Sequence, residues 1–188
     1  WKQIKSLENL GYKIKSVKNK GYKLLERPDI PIPEEIKNNL NTKIIGKEVI
    51  YYKKVDSTNL VSKNLLKKNN ISEGTLIISD IQTKGKGRKK RNWSSPKGGL
   101  WFSIILYPKI SPNKAIYVTM ISSIAIADTI KEICKINSTV KWPNDVLIEN
   151  KKVCGILTEL DAEIDRVNHI IIGIGINLNN QIDDKLRN

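Results

Sequence analysis

Two cysteines, one histidine, one methionine and one phenylalanine are all that this chain of 188 residues holds of those types. Cys134 and Cys154 stand in separate apolar stretches without Cys-x-x-Cys spacing, which argues against a disulfide scaffold and a thiolate metal site; two buried, reduced thiols are expected. No signal-peptide pattern opens the chain, so a cytoplasmic protein is predicted. His169, the one histidine, reads as a neutral strand residue, with general-base duty as the sharper alternative. No cluster of metal-ligand residues stands out, and any metal site is unknown from the sequence. Apolar runs such as Ile170-Ile171-Ile172 fall far short of the ~18 residues a membrane span needs. Internal repeats and low-complexity tracts are absent as well.

Acidic residues are missing from one stretch in particular. Gln82 to Trp93 contains six Lys/Arg, two glycines and no carboxylate, while Trp1 to Pro28 holds eight Lys/Arg against two Glu. Most of the net charge of +14 sits in these two places, so the basic balance does not by itself describe a DNA-coating protein. In the Gln82 to Trp93 loop, Gly85 and Gly87 are expected to adopt backbone angles that a Cβ resists. Successive N–H groups then approach an anion while Lys84, Lys86, Arg88 and Arg91 supply charge. A solvated basic loop or a tract on nucleic-acid phosphates is the plainer reading of the same residues.

Three segments are predicted. Trp1, Ile4, Leu7 and Leu10 form the stripe of a short helix ended by Gly11, and two alternating segments around Lys18-Asn19-Lys20-Gly21 form a hairpin. Residues 1–27 thus look like the second half of a winged helix-turn-helix, with an ordinary basic hairpin as the plainer reading. Residues 28–33, with three prolines, form a stiff linker. Residues 34–188 form a catalytic-sized domain. Strands are expected at 47–54, 74–80, 99–107, 146–149, 152–160 and 167–177, and helices at 34–40, after Asp56-Ser57-Thr58-Asn59 with Leu60, Val61, Leu65 and Leu66 as its face, and at 115–136. Short connections demand antiparallel pairing, so the fold class is α+β: a mixed, mostly antiparallel sheet with helices packed on one face. On the long helix, Ile116, Met120, Ile124, Ile130 and Ile133 are expected to lie against it. The chain opens without methionine and stops in a polar stretch, and both ends are read as truncated, with the first helices of a winged helix not among these residues.

Four marks stand in order: Ser57-Thr58-Asn59, the Gln82 to Trp93 loop, Lys141-Trp142-Pro143-Asn144-Asp145, and Gly155-Ile156-Leu157-Thr158-Glu159 with Gly173-Ile174-Gly175-Ile176-Asn177. Together they resemble the biotin protein ligases of the bifunctional type over almost all of residues 50–177. The resemblance implies a fold like that of class II aminoacyl-tRNA synthetases and biotin synthetases. It also implies ATP, biotin and Mg2+ as cofactors, a biotin carboxyl carrier domain of a carboxylase as partner, and a possible homodimer. Duplex DNA is a possible further partner through the amino-terminal segment, with its binding and operator left open. The implied reaction joins biotin to the α-phosphate of ATP and passes the biotinyl group to a carrier lysine.

By the same resemblance, Lys141 and Arg88 are the catalytic cations. Ser57, Thr58, Asn59, Gln82, Gly85, Lys86, Gly87, Arg88, Lys141, Gly155, Ile156 and Leu157 face biotin; Lys86, Arg88, Arg91, Trp93, Lys141 and Asn177 face ATP or the adenylate. Lys84, Lys86 and Lys90 depart from the family's loop wording, and Lys does not replace the two-pronged Arg on phosphate. A biotin-responsive DNA-binding repressor and a lipoate or octanoyl transferase of the same fold are the competing readings.

Overall fold

Alternation along one strand organises the larger part of the molecule. In Val167–Ile176 (β9), Ile170, Ile172, Ile174 and Ile176 point to one face and Ile171, Gly173 and Gly175 to the other. The computed structural model describes residues 1–38, 40–68 and 71–181. They divide into two compact units, Trp1–Ile30 and a second that begins at Pro31, inside the proline-rich stretch.

The first unit holds α1 (Lys2–Asn9) and an antiparallel hairpin of β1 (Lys13–Val17) and β2 (Gly21–Glu26). Gly11 at φ +96° follows the helix and Gly21 at φ +95° closes the turn, conformations that L side chains rarely adopt. None of α1 is buried, and every residue of β2 is exposed.

The second unit starts with α2 (Pro33–Asn38), then β3 (Val49–Tyr52), α3 (Thr58–Lys68), β4 (Leu76–Ser79), β5 (Leu100–Leu106) and α4 (Ala115–Cys134). It finishes with β6 (Thr139–Lys141), β7 (Asp145–Ile148), β8 (Lys151–Ala162) and β9. Among the described residues seven strands form one sheet in the order β3-β4-β5-β9-β8-β7-β6, in which β3 and β4 pair parallel and the other neighbours antiparallel. The sheet is mixed and mostly antiparallel, as the short connections demand. The three-residue strand β6 has no sequence expectation behind it: its segment carries no alternating apolar pattern, and all three residues are exposed.

The two long helices lie on opposite faces, not on one. Asn59 of α3 reaches Ser103 of β5 and Glu159 of β8, whereas Thr119 of α4 pairs with Thr158, the neighbour of Glu159 that faces the other way. On the α4 side, Val146, Cys154, Ile156, Ile170, Ile172, Ile174 and Ile176 form the core, with Val118, Ile126, Ala127 and Ile130 packed against them. Burying one such Ile completely contributes on the order of 1.5–3 kcal/mol. Ile116, Ile124 and Ile133, expected against the sheet, are exposed instead, because α4 meets it through Ala115, Thr119 and Ser123. Cys154 is buried, but Cys134 at the end of α4 is exposed, contrary to expectation. Among the described residues no helix is long and apolar enough to cross a membrane.

On the α3 side the packing is different in kind. Thr58, Asn59 and Ser62 are the buried residues of α3, while Leu60, part of its expected apolar face, is exposed. A helix that turns short polar groups inward is solvating something other than a hydrocarbon core.

Candidate active site

Three glycines clear the floor of a cavity of about 460 Å³ on that second face. Gly155 pairs with Gly175 across β8 and β9, and Gly173 with Leu157, so all three point to the α3 side. A Cβ at Gly173 would run into the Asn59 amide, one at Gly175 into Trp93 Nε1, and one at Gly155 would lie 2.9 Å from Trp93 Cζ3. The glycines are needed here for space.

The first turn of α3 forms a polar end. Ser57, Thr58 and Asn59 are buried and line the cavity beside Gln82. Gln82 Oε1 accepts from Thr58 N at 2.8 Å and from Thr58 Oγ1 at 3.2 Å, and its Nε2 donates to Ser95 Oγ at 2.8 Å. Asn59 Nδ2 donates to Glu159 Oε2 at 2.8 Å, and Glu159 Oε1 pairs with Lys63 at 2.6 Å. The Ser57 hydroxyl, in contrast, makes no hydrogen bond among the described residues.

The basic loop closes the side of the cavity as a small hairpin of its own. Trp93 N donates to Gly85 O at 2.9 Å and Gly87 N to Arg91 O at 2.7 Å, with a turn at Arg88–Lys90 between them. Its left-handed residues are Lys89 at φ 55° and Lys90 at φ 61°, whereas neither Gly85 nor Gly87 has a positive φ, so the expected role of those glycines is corrected. Gly85 is instead a close approach: a Cβ there would come 2.8 Å from Ser95 Oγ. At the loop's base Asp56 takes hydrogen bonds from Lys84 at 3.0 Å and Thr83 at 2.8 Å, which hold its carboxyl below the usual range. Lys86, Gly87, Arg88 and Arg91 line the cavity, and the Arg88 guanidinium donates to Asn144 Oδ1.

Facing the loop, Lys152 and Asp145 form an ion pair of 2.8 Å on the cavity wall, and Lys152 Nζ stands 5.0 Å from the Trp93 ring centre. A β-bulge puts Lys152 there. Val146 pairs with Cys154 but Leu147 with Lys152, so Val153 is an extra residue in β8, and Lys152 moves to the same face as Asp145 and Gly155. Behind the wall the Cys154 thiol is pushed up to about 12 by burial, with Lys152 pulling it back down and Asp145 adding to the rise.

Trp93 lies over Gly155 and Gly175, edge-on to Trp101 at 6.5 Å between ring centres, and its Nε1 is buried without a partner among the described residues. Asn177 borders the same end and accepts from Asn180 Nδ2 at 3.0 Å. Ile156 and Leu157 also line the cavity. Gly85 and Lys141 do not; Lys141 is exposed at the end of β6. His169 lies on β9 away from the lining, 3.8 Å from Asp161. Sequence reading missed Lys152, Asp145 and Asn144 as wall residues, although Asn144 and Asp145 stand inside a motif it had singled out.

A sequence profile of the Biotin/lipoate A/B protein ligase family matches residues 51–177. The Bifunctional ligase/repressor BirA of Bacillus subtilis strain 168 is 43% identical over 185 residues, covering 98% of this chain and 57% of that protein. The protein of the same name from Escherichia coli K12 is 31% identical over 178 residues, 94% of this chain and 54% of its own length. Among solved structures, the biotin protein ligase from Aquifex aeolicus in complex with biotin and ATP superposes with a TM-score of 0.63 at 40% identity, covering 74% of this chain and 56% of that one. The chain thus spans little more than half the length of these relatives. The profile takes in the first turn of α3, the basic loop and all three floor glycines, and the chain belongs to the biotin/lipoate A/B protein ligase family.

Proposed function

We propose that this chain activates biotin with ATP to biotinyl-5′-AMP and transfers the biotinyl group to a lysine of a biotin carboxyl carrier domain. One observation carries the reading: a single trough joins a hydrogen-bonding end at Ser57, Thr58 and Asn59 to a cationic wall at Arg88, Arg91 and Lys152, over a floor of glycines. The first end suits a cyclic urea, the floor an apolar ring and chain, and the cations a carboxylate meeting a phosphate.

In the first step a biotin carboxylate oxygen forms a bond to the α-phosphorus and pyrophosphate leaves. Two anionic partners must approach, and fixed cations in a partly closed site stabilise the crowded charge. Arg88 supplies a planar donor fork and Lys152 a compact charge, while Trp93 and Asn177 take the base. In the second step a carrier amine attacks the acyl carbon and AMP departs with the bonding electrons. Until then the loop shelters the anhydride from water. Magnesium would accompany ATP and supply charge on the phosphates.

The test is exchange of labelled pyrophosphate into ATP. Exchange is expected to appear with biotin and to stay at background with lipoate or octanoate. Exchange driven by lipoate alone would transfer the chain to the other branch of its family.

A second, compatible reading adds DNA binding by the first unit, in which Lys13, Lys15, Lys18, Lys20 and Lys23 crowd one hairpin. It is the bifunctional reading, with the helix as reader and the turn as wing, and with two copies pairing on a twofold site. Binding of duplex DNA should fall steeply as salt rises, and Lys18→Ala with Lys20→Ala should lower the salt slope by about 1 for each phosphate that is no longer neutralised. Affinity indifferent to salt would sink this reading.

A further inference from the structure

Ser103 sits in the middle of β5, fully buried, and does not border the cavity. Its hydroxyl nevertheless reaches two residues that do: Asn59 Oδ1 at 2.6 Å and Thr58 Oγ1 at 2.7 Å. The hydrogens can be placed from what each neighbour is able to do. The Glu159 carboxylate, paired with Lys63, only accepts, so the Asn59 amide turns its NH2 group that way. Oδ1, which has no hydrogen to give, is left facing Ser103, and Ser103 donates to it. Thr58's own hydrogen is held inside the protein by Gln82 Oε1 at 3.2 Å, and Thr58 Oγ1 in turn lies within reach of the Ser103 hydroxyl as an acceptor at 2.7 Å. Thr58 Oγ1 therefore offers the cavity lone pairs, while the unpartnered Ser57 hydroxyl still has a hydrogen to give.

We infer that Ser103 is a positioning residue that fixes the hydrogen-bonding sense of Thr58 and Asn59 and so makes the polar end selective for a cyclic urea that donates through its N–H groups. The inference rests on the proposal that this cavity takes biotin. An acceptor at Thr58 complements a urea N–H, and a donor at Ser57 complements a urea carbonyl. Without the Ser103 hydroxyl, Asn59 Oδ1 is stranded in a buried site, and Thr58 can rotate its hydrogen outward, where it opposes an N–H. Ser103 touches no reacting atom, so it acts through its two neighbours.

The experiment is calorimetric titration with biotin and with a biotin analogue methylated on a ureido nitrogen, using the intact chain, Ser103→Ala and Ser103→Cys. Alanine is expected to weaken biotin by about 10- to 100-fold and to shrink the preference for biotin over the methylated analogue by a similar factor. The Michaelis constant for ATP should not change, and turnover at saturating biotin should stay within about threefold, since only uniform binding is lost. Cysteine, of similar size and with a weak S–H donor, should recover part of the preference. Should the alanine variant not fold, a reduced preference in Ser103→Cys carries the same conclusion. An unchanged preference ratio in a folded variant, even with a lower melting temperature, means that Ser103 is merely structural and overturns the inference. If the parent chain binds biotin no better than the analogue, the reading of the cavity itself fails, a result separate from any effect of Ser103.

Discussion

Lys152→Ala is expected to slow biotin-dependent pyrophosphate exchange by about 10²- to 10³-fold, the loss found when one fixed charge-stabilising donor is removed from a reacting centre. The fold should survive. Lys152 is 41% exposed, its ion pair with Asp145 lies at the rim of a cavity, and partly exposed pairs contribute little to stability. What the ammonium supplies is position: it stands on the cavity wall opposite the loop that brings Arg88 and Arg91, so an anion between them meets cations from both sides. Lys141, the lysine of the Lys-Trp-Pro-Asn-Asp motif, stands exposed at the end of β6 and outside the lining. Lys141→Ala is accordingly expected to cost less than about tenfold in the same assay. The two variants side by side settle the assignment: near-normal exchange in Lys152→Ala with a deep loss in Lys141→Ala would return the catalytic role to Lys141.

A one-dimensional reading of this chain runs out where the backbone leaves regular geometry. Strand identity was legible because β5, β8 and β9 alternate or run apolar over seven to twelve residues. Period-two alternation keeps Gly155, Gly173 and Gly175 on one face, yet of the three only Gly155 is assigned to the pocket from the sequence, and that by resemblance. The same rule applied to Lys152 gives the wrong face, since the bulge at Val153 shifts the parity of everything before it, and nothing in Lys-Lys-Val-Cys-Gly announces a bulge. Apolar periodicity is right for Ile130, which packs on the core, but wrong for Leu60 of α3 and for Ile116, Ile124 and Ile133 of α4, which are exposed. The buried stripe of α3 is Thr58, Asn59 and Ser62, of which Thr58 and Asn59 line the cavity, and the buried residues of α4 are the small Ala115, Thr119 and Ser123. In the loop, charge was readable but conformation was not: Lys89 and Lys90 take the left-handed angles that glycine would have been assigned. Glu159 stood in plain view inside a motif, yet its work depends on Asn59, a hundred residues earlier in the chain.

Gly173→Ala and Gly175→Ala, one methyl group each and two residues apart, are expected to damage opposite ends of the site. At Gly173 the new Cβ meets the Asn59 amide, with Cγ at 2.8 Å and Nδ2 at 2.9 Å. That amide cannot move aside cheaply, because Ser103 holds its oxygen and Glu159 its nitrogen. Overpacking a braced site costs roughly 1–3 kcal/mol, so Gly173→Ala should raise the Michaelis constant for biotin by about 10- to 100-fold and lower the melting temperature by several degrees, with ATP little affected. At Gly175 the obstacle is the Trp93 indole, whose Nε1 has no hydrogen bond to lose among the described residues and whose ring lies at the cavity's edge. The ring can swing away, so Gly175→Ala should leave stability within about 1 kcal/mol of the parent while weakening ATP more than biotin. Steady-state kinetics with each substrate varied in turn, alongside thermal melts, separates the two effects. If both variants weakened the same substrate, the cavity could not be divided into a urea end at Asn59 and a nucleotide end at Trp93, and the direction in which the two substrates meet would have to be redrawn.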